Sequence, residues 1–529
     1  MCLAERAESW GKREGGVSRR LFLASAAAIG SLTLLAQRGW AAACPIWRSN
    51  PFTLGVASGD PDENGFVIWT RLAPQPLEAD GGMPLEPVKV SWEVALDENM
   101  RSVVASGSTL ATPQLGHSVH VEVEGLSPDR WYWYRFRSGE AESPIGRTRT
   151  FPLPTALPQR LRLGVTSCQS YEAGLFTAYE QMALDELDVV FHLGDYIYEY
   201  EAGRMGKVRT HQGGEIQSLA DYRIRHAQYR SDPLLHQMHA QCPWLVTWDD
   251  HELDNNCANE TSEELDVDPV SFLERRCNAY QAYYENMPLR LRSLPQGPDM
   301  QLYRSATFGR LAELLVLDTR QYRSDQPNAD RRSPLNEAAV NPQQTMLGRT
   351  QRGWLSSQLL QSQSTWNVLA QQVMMGMVGL NKTGGEPMYS MDQWPGYAAE
   401  RMALLRFLQE RRITNPIVLT GDIHSNWVNE LRVDDRRIEE PLVATEFVTT
   451  SLSSGGNGVE APDGLQQLLA ANPCVKFHNG ERGYIRCEVT SQKWQADYVV
   501  VDDVLQPGGK SSVRRSFVVE AGNPAAKDS

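Results

Sequence analysis

Several short apolar runs in this chain stop abruptly at clusters of acidic, histidine and cysteine residues. That pattern constrains the fold more than any other. Leu161-Arg162-Leu163-Gly164-Val165-Thr166 leads into Ser167-Cys168-Gln169, and Val189-Val190-Phe191-His192-Leu193 leads into Gly194-Asp195-Tyr196-Ile197-Tyr198. Trp244 to Trp248 leads into Asp249-Asp250-His251-Glu252, with Asp254-Asn255-Asn256 just beyond, and Ile417 to Thr420 leads into Gly421-Asp422-Ile423-His424. Runs this short have the length of buried strands. Helical patterns lie between them, from about Gly174 to Leu187 and from Ala398 to Arg412. Further strands are expected at Leu314 to Leu317 and Val368 to Ala370, and in the tail at Phe447 to Leu452, Tyr484 to Val489, Ala496 to Val501 and Phe517 to Glu520. Strands alternating with helices predict an α/β core. In open α/β sheets ligands bind beyond the carboxyl ends of the strands. The polar clusters are therefore expected to share one site.

The stretch before this core has a different texture. In Val88-Lys89-Val90-Ser91-Trp92-Glu93-Val94 apolar and polar residues alternate, as they do in His120-Val121-Glu122-Val123-Glu124. Turn signals such as Gly59-Asp60-Pro61 and Ser127-Pro128-Asp129 break the runs. About seven short strands over about a hundred residues predict a β-sandwich of immunoglobulin or fibronectin type. Pro152 to Pro158 reads as a stiff linker.

Residues 1–43 read as a leader. Ser18-Arg19-Arg20-Leu21-Phe22-Leu23 precedes a soft apolar run, which ends at Arg38 and Ala41-Ala42-Ala43. That is a charged segment, an apolar segment and a small-residue cleavage site. The run is too short to span about 30 Å of hydrocarbon. The paired arginines resemble the twin-arginine export signal, whose translocase would then be a partner; an ordinary secretory leader is the alternative. Cys44 follows the cleavage site, but Ala41 stands where lipoproteins carry a bulky aliphatic residue. The expected division is thus 1–43 leader, 44–153 β-sandwich and 154–529 catalytic unit, exported to the periplasm or medium of a bacterium, with no transmembrane segment after cleavage.

Composition excludes some classes. Hydrophobic residues are 41% of 529, ample for a core and against disorder. Lys+Arg number 51 against Asp+Glu 65, a net charge of −14, so nucleic-acid binding through bulk charge is not expected. Of the eight cysteines, seven follow the leader. An odd number in an exported protein points to a thiol with another task.

Taken singly, each cluster has an ordinary explanation: an Asp that ends a strand, a buried Cys, a hydrogen-bonded His. Together they offer Cys, Asp, Tyr, Asp, His, Asp and His at successive strand ends, which is the donor set of a metal centre. Asp249 and Asp250 are adjacent and would repel each other without a cation.

The order Gly-Asp, Asp-His-Glu and Gly-x-x-His resembles the calcineurin-like metallophosphoesterases, and Gly-Asp-x-x-Tyr is similar to purple acid phosphatases. Asn50 to Arg71, Ser167-Cys168-Gln169, Gly194 to Glu199, Trp248 to Asn256, Phe447 to Gly458, Ala496-Asp497-Tyr498 and Ser516-Phe517-Val518 resemble the alkaline phosphatase D family over nearly the whole chain after the leader. The resemblance implies an α/β/β/α metallophosphoesterase sandwich and a calcium- and iron-dependent phosphatase or phosphodiesterase. It places Asp195 as the carboxylate that bridges two metals. Cys168, Tyr198 and His424 would complete a site for one Fe³⁺. Asp250 stands where many relatives in the superfamily carry Asn, and Asp422 and either Gln371 or Gln372 stand where they carry His; replacing nitrogen ligands by oxygen favours Ca²⁺, one or two ions. Asn255 and Asp249 would hold or support the further calcium, and Ser425 would stand behind His424. His251 resembles the histidine that protonates the leaving alcohol, and the nucleophile would be a metal-bound water or hydroxide.

The substrates are then phosphate mono- or diesters. A phospholipase D-type diesterase on the same site is one alternative, and a non-catalytic calcium-binding surface protein another. Cys168 and Tyr198 speak against the latter, since structural calcium has no use for a thiolate.

Overall fold

The computed structural model describes residues 46–264, 266–380 and 385–529. The leader read over residues 1–43, and Cys44, lie outside the described residues.

Two large sheets pack face to face. The first is ten-stranded, in the order Asn523–Asp528, Ser511–Glu520, Lys493–Val501, Arg482–Val489, Leu161–Thr166, Val189–Leu193, Trp244–Thr247, Val56–Gly59, Phe66–Arg71, Ser118–Val123. The second is seven-stranded, in the order Arg304–Phe308, Ala312–Val316, Trp366–Ala370, Pro416–Thr420, Ala444–Val448, Asn426–Leu431, Val475–Asn479. Side chains alternate across a strand. Val189, Phe191 and Leu193 therefore point into the apolar layer between the sheets, where they meet Val316, Val368 and Leu419. Val190 points the other way, onto the helices Thr177–Met182, Leu219–Arg230 and Pro269–Asn286. Helices Gly348–Gln361 and Ala398–Glu410 cover the outer face of the second sheet through Leu355, Leu359, Leu404 and Leu405. The result is the expected four-layer α/β/β/α architecture.

Helix ends follow local chemistry. Ser218 caps Leu219–Arg230 in a reciprocal capping box with Asp221, and Asp268 followed by Pro269 opens Pro269–Asn286. The helix expected from about Gly174 to Leu187 is shorter, Thr177–Met182. Its N-terminal flank is instead drawn into the region of the site, where Ser453 Oγ donates to Ser170 O at 2.9 Å.

The N-terminal strands enclose their own apolar layer, with Phe66, Ile68, Val90, Val94, Tyr132, Tyr134 and Phe136. One side of that layer is a five-stranded sheet built on Val88–Ala95 and Trp131–Ser138. The other side is Val56–Gly59, Phe66–Arg71 and Ser118–Val123, and these strands also continue the ten-stranded sheet. Gly59 pairs in parallel with Trp244, and Arg304 Nε donates to Asp60 Oδ1 at 2.6 Å. The sandwich thus shares a sheet with the α/β unit. An uncovered Trp244–Thr247 would present an open edge, and edges of that kind are sites of unwanted pairing.

Candidate metal centre

Three parallel strands from each sheet deliver their carboxyl ends to one place. Leu161–Thr166, Val189–Leu193 and Trp244–Thr247 are parallel neighbours in the first sheet. Ala312–Val316, Trp366–Ala370 and Pro416–Thr420 are parallel neighbours in the second. The loops that follow them carry Cys168, Asp195, Asp249 to His251, Arg320, Gln371 and Gln372, and Asp422 to His424. The loops approach closely there: within the first sheet a Cβ on Gly194 would lie 2.5 Å from Asp249 N, and between the sheets one on Gly421 would lie 2.8 Å from Ser167 Oγ. Cys168, Asp195, Asp422 and His424 all take positive φ, 57°, 55°, 66° and 55°. Such conformations cost energy in non-glycine residues and cluster at functional sites.

Three groups of donor atoms form, each within 4.8 Å: Cys168 with Asp195 and His424, Asp195 with Asp250 and His251, and Asp249 with Asp250 and Asp422. Asp195 belongs to two of them and Asp250 to two. Tyr198 joins the first, since its hydroxyl donates to Asp195 Oδ2 at 3.0 Å and lies 3.2 Å from His424 Nε2. Ser454 Oγ donates to the Tyr198 hydroxyl at 2.6 Å and to Cys168 O at 2.8 Å.

The donor set fits cations. Asp195 Oδ1, Asp249 Oδ2 and Asp250 Oδ1 are buried and accept no hydrogen bond. Buried polar atoms are normally paired, so these unpartnered carboxylate oxygens mark places for positive charge. Burial, with Asp250 and Asp249 adding repulsion that His251 only partly offsets, holds Asp195 well above the usual carboxylate range. Burial pushes Asp422 up to about 7, against the pull of Arg320. Burial and then Asp195 raise the Cys168 thiol.

The remaining sequence candidates stand differently. His251 Nδ1 donates to Glu199 Oε2 at 2.8 Å, which leaves Nε2 for the centre. Asn255 gives its backbone N–H to Glu199 Oε1 at 3.0 Å, and its side-chain amide donates to Glu263. Gln371 and Gln372 have their amides engaged elsewhere. Gln371 Nε2 donates to Val373 O at 2.6 Å and to Thr420 Oγ1 at 2.7 Å, and its oxygen accepts from Trp394 Nε1 at 3.0 Å. Gln372 Nε2 donates to Thr247 Oγ1 at 2.8 Å, and its oxygen accepts from Thr319 Oγ1 at 2.6 Å. Both are buried tie-points between strand ends. The six described cysteines, Cys168, Cys242, Cys257, Cys277, Cys474 and Cys487, are free thiols.

One central residue escaped the sequence reading. Arg320 is buried among carboxylates: its Nε donates to Asp249 Oδ1, its Nη1 donates to Asp392 Oδ1 at 2.9 Å, and its Nη2 lies 3.6 Å from Asp250 Oδ1 and 3.5 Å from Asp422 Oδ1. The neighbouring pair Asp249 and Asp250 thus already has a guanidinium beside it, and the expectation that only a metal could reconcile them is corrected. Glu252 was also missed in role. It accepts from Tyr196 N at 2.5 Å, Asp249 N at 2.8 Å and Asp195 N at 3.1 Å, and so ties two of the loops together. Glu199, Glu252 and Ser454 sit within stretches that carry the sequence resemblance, whereas Arg320 follows a strand without any such signal.

Comparison with known proteins identifies the family. Residues 163–498 match the family described as PhoD-like phosphatase, and residues 39–152 match the PhoD-like phosphatase N-terminal domain. Alkaline phosphatase D of Bacillus subtilis (strain 168) is 49% identical over 512 residues, 95% of this chain and 87% of that one. A solved structure titled "Structure of PhoD" superposes with a TM-score of 0.89 at 49% identity, over 92% of this chain and 93% of that one. With both family regions matched in order and half the residues shared across nearly the full length, the chain belongs to the PhoD-like phosphatase family.

Proposed function

We propose that the chain is an exported hydrolase of phosphate mono- and diesters whose centre holds one ferric ion and one or two calcium ions. Membership of the family makes it a hydrolase acting on phosphate esters. The metals, the substrate class and the export route go beyond that membership. The observation that carries the reading is the shared position of Asp195, which stands in one donor group with Cys168 and His424 and in another with Asp250. Its Oδ1 has no hydrogen-bond partner.

Cys168, Tyr198 and His424 offer sulfur, phenol oxygen and imidazole on one side of Asp195, a set that suits a ferric ion. Asp250 and Asp422 offer only oxygen on the other, which suits calcium. When bound, such cations supply Lewis acidity: they make water a nucleophile near neutral pH and clamp phosphate oxygens. The chain's own groups orient and exchange protons. Asp422 keeps 19% of its side chain exposed, so the centre opens to solvent on that side. His251, with Nδ1 fixed by Glu199, presents Nε2 to a departing alcohol. The leader with its paired arginines supports twin-arginine export to the periplasm or medium, and among the described residues no helix is long and apolar enough to cross a membrane. The division between residues 44–153 and residues 154–529 is supported by where the two family matches meet, 39–152 and 163–498.

The test is metal content and turnover of matched mono- and diesters on the same purified sample, for the wild-type protein and for Asp195→Asn. Asparagine tolerates the left-handed backbone of residue 195, so the variant removes charge rather than fold. The wild-type protein should contain iron and calcium and absorb visible light, and Asp195→Asn should lose both metal and at least 100-fold in kcat. A colourless, iron-free and fully active preparation would overturn the ferric assignment. Undiminished turnover by Asp195→Asn would overturn the site. The ratio of kcat/KM for the two ester classes decides between monoesterase and diesterase.

A further inference from the structure

A ladder of side chains leads from the carboxylates to the surface. The Tyr198 and His251 rings lie 4.3 Å apart, and the His251 and Tyr200 rings 5.4 Å apart. The Arg204 guanidinium stands 5.8 Å from the centre of the Tyr200 ring. Exposure rises along the ladder: Tyr198 is buried, His251 is 8% exposed, Tyr200 is half-buried and Arg204 is exposed. The ladder therefore runs outward from the centre on the side of His251.

Its outer end is built rather than loose. Buried Glu172 accepts from Gly203 N at 2.7 Å, from Met205 N at 3.1 Å and from His211 N at 2.8 Å. Two of those backbone groups flank Arg204, so its position along the loop is pinned from both sides. The loop is also basic within an acidic chain. From Tyr200 to Gln212 it carries Arg204, Lys207 and Arg209 against Glu201, while the whole chain has a net charge of −14. Arg209 is committed to Asp232 at 2.5 Å. Arg204 forms no ion pair among the described residues.

We propose that Tyr200 and Arg204 form a leaving-group subsite, and that the substrates handled best carry an anionic group on the alcohol that departs. The proposal rests on His251 facing the leaving group, as argued above. An alcohol leaving past His251 lies against the Tyr200 ring, where a flat or apolar body packs. Its far end meets Arg204, whose guanidinium pairs with a carboxylate or a second phosphate. Tyr200 and Arg204 are specificity-determining residues in this scheme; the bond that breaks lies at the carboxylates and His251.

Two chromogenic esters test it: 3-carboxy-4-nitrophenyl phosphate and its neutral counterpart 3-carbamoyl-4-nitrophenyl phosphate. The readout is the ratio of their kcat/KM values, which cancels differences in active fraction between preparations. An exposed ion pair predicts that Arg204→Gln lowers the ratio by about three- to fivefold and Arg204→Glu lowers it further. In the wild-type protein 0.5 M salt should lower the ratio as well, because the Debye length is then about 4 Å. A ratio unchanged in both Arg204 variants overturns the subsite. If the wild-type protein hydrolyses neither ester, the phosphoesterase reading and the subsite fall together. If Asp195→Asn abolishes hydrolysis while the Arg204 variants leave the ratio alone, only the subsite falls.

Discussion

Glu199 and His251 form a buried pair in which His251 Nδ1 donates to Glu199 Oε2 at 2.8 Å. Burial alone would keep the imidazole neutral, but Glu199, then Asp250 and Asp195, outweigh it and hold His251 well above the ordinary histidine range. Glu199 therefore does two things. It fixes which nitrogen carries a proton toward the loop, and it favours the protonated ring that an acid for the leaving group needs.

Glu199→Gln keeps the size and one acceptor oxygen but removes the charge. By analogy with residues that orient metal-site histidines, kcat should fall roughly ten- to a hundredfold. The loss should be larger for esters of poor leaving groups, such as alkyl phosphates, than for nitrophenyl esters, whose leaving group needs little protonation. A uniform loss across leaving groups would reduce Glu199 to a structural role.

Ser454 makes a spectroscopic prediction. Its single hydroxyl proton is shared between Tyr198 at 2.6 Å and Cys168 O at 2.8 Å. In iron-loaded protein the Tyr198 and Cys168 donors should give a visible charge-transfer band. Ser454→Ala removes a hydrogen bond to the phenol oxygen, worth about 1 kcal/mol, and should shift that band; Ser454→Thr should restore it, and Tyr198→Phe should remove the tyrosine contribution. A Ser454→Ala spectrum superposable on wild type would show that the hydroxyl serves packing alone.

Acid should unfold the protein through buried histidines outside the centre. Neither ring nitrogen of His226 has a hydrogen-bond partner. Burial, with Arg71 and Arg230 adding repulsion, lowers its pKa to about 3. The unfolded chain takes up that proton near pH 6.5, while the folded chain resists it. The contribution is complete above pH 6.5, is lost as pH falls toward 3, and amounts to about 5 kcal/mol at the limit. His192, also unpartnered and lowered to about 3 by burial, acts in the same direction. Urea midpoints measured from pH 7 to pH 4 should fall steeply, and His226→Leu should flatten the fall by close to one proton. An unchanged slope in that variant would show that His226 finds a partner or water in solution.

How much of this was legible in the sequence depends on the range of the interaction. Cys168, Asp195, Asp250, Asp422 and His424 could be gathered from sequence because parallel strands put their carboxyl ends side by side, so position after a strand translates directly into position in space. The same rule does not decide between Gln371 and Gln372. They too follow a strand, but their amides bond Thr420 and Thr247 on neighbouring strands, and nothing local distinguishes a tie-point from a ligand. The shared sheet was illegible for a related reason: period-two alternation in the N-terminal stretch predicts strands, not that Gly59 pairs with Trp244. Arg320 was hardest to see, since its partners come from loops far apart in the chain.

Arg320 carries the last prediction. Its guanidinium is the positive charge among Asp249, Asp250, Asp392 and Asp422, with Arg323 assisting at Asp392 at 2.7 Å. Arg320→Met keeps most of the volume and leaves those carboxylates facing one another. Removing one partner of a buried ionic cluster costs about 3–5 kcal/mol, so in metal-free buffer the Tm should drop by several degrees. A divalent cation that binds the folded state stabilises it by mass action. In the variant that cation also relieves the repulsion the guanidinium used to offset. Titrating calcium should therefore raise the Tm of Arg320→Met more than that of wild type and narrow the gap between them. A gap of the same size with and without calcium would mean that Arg320 acts only as packing and that the cation does not reach the carboxylates around it.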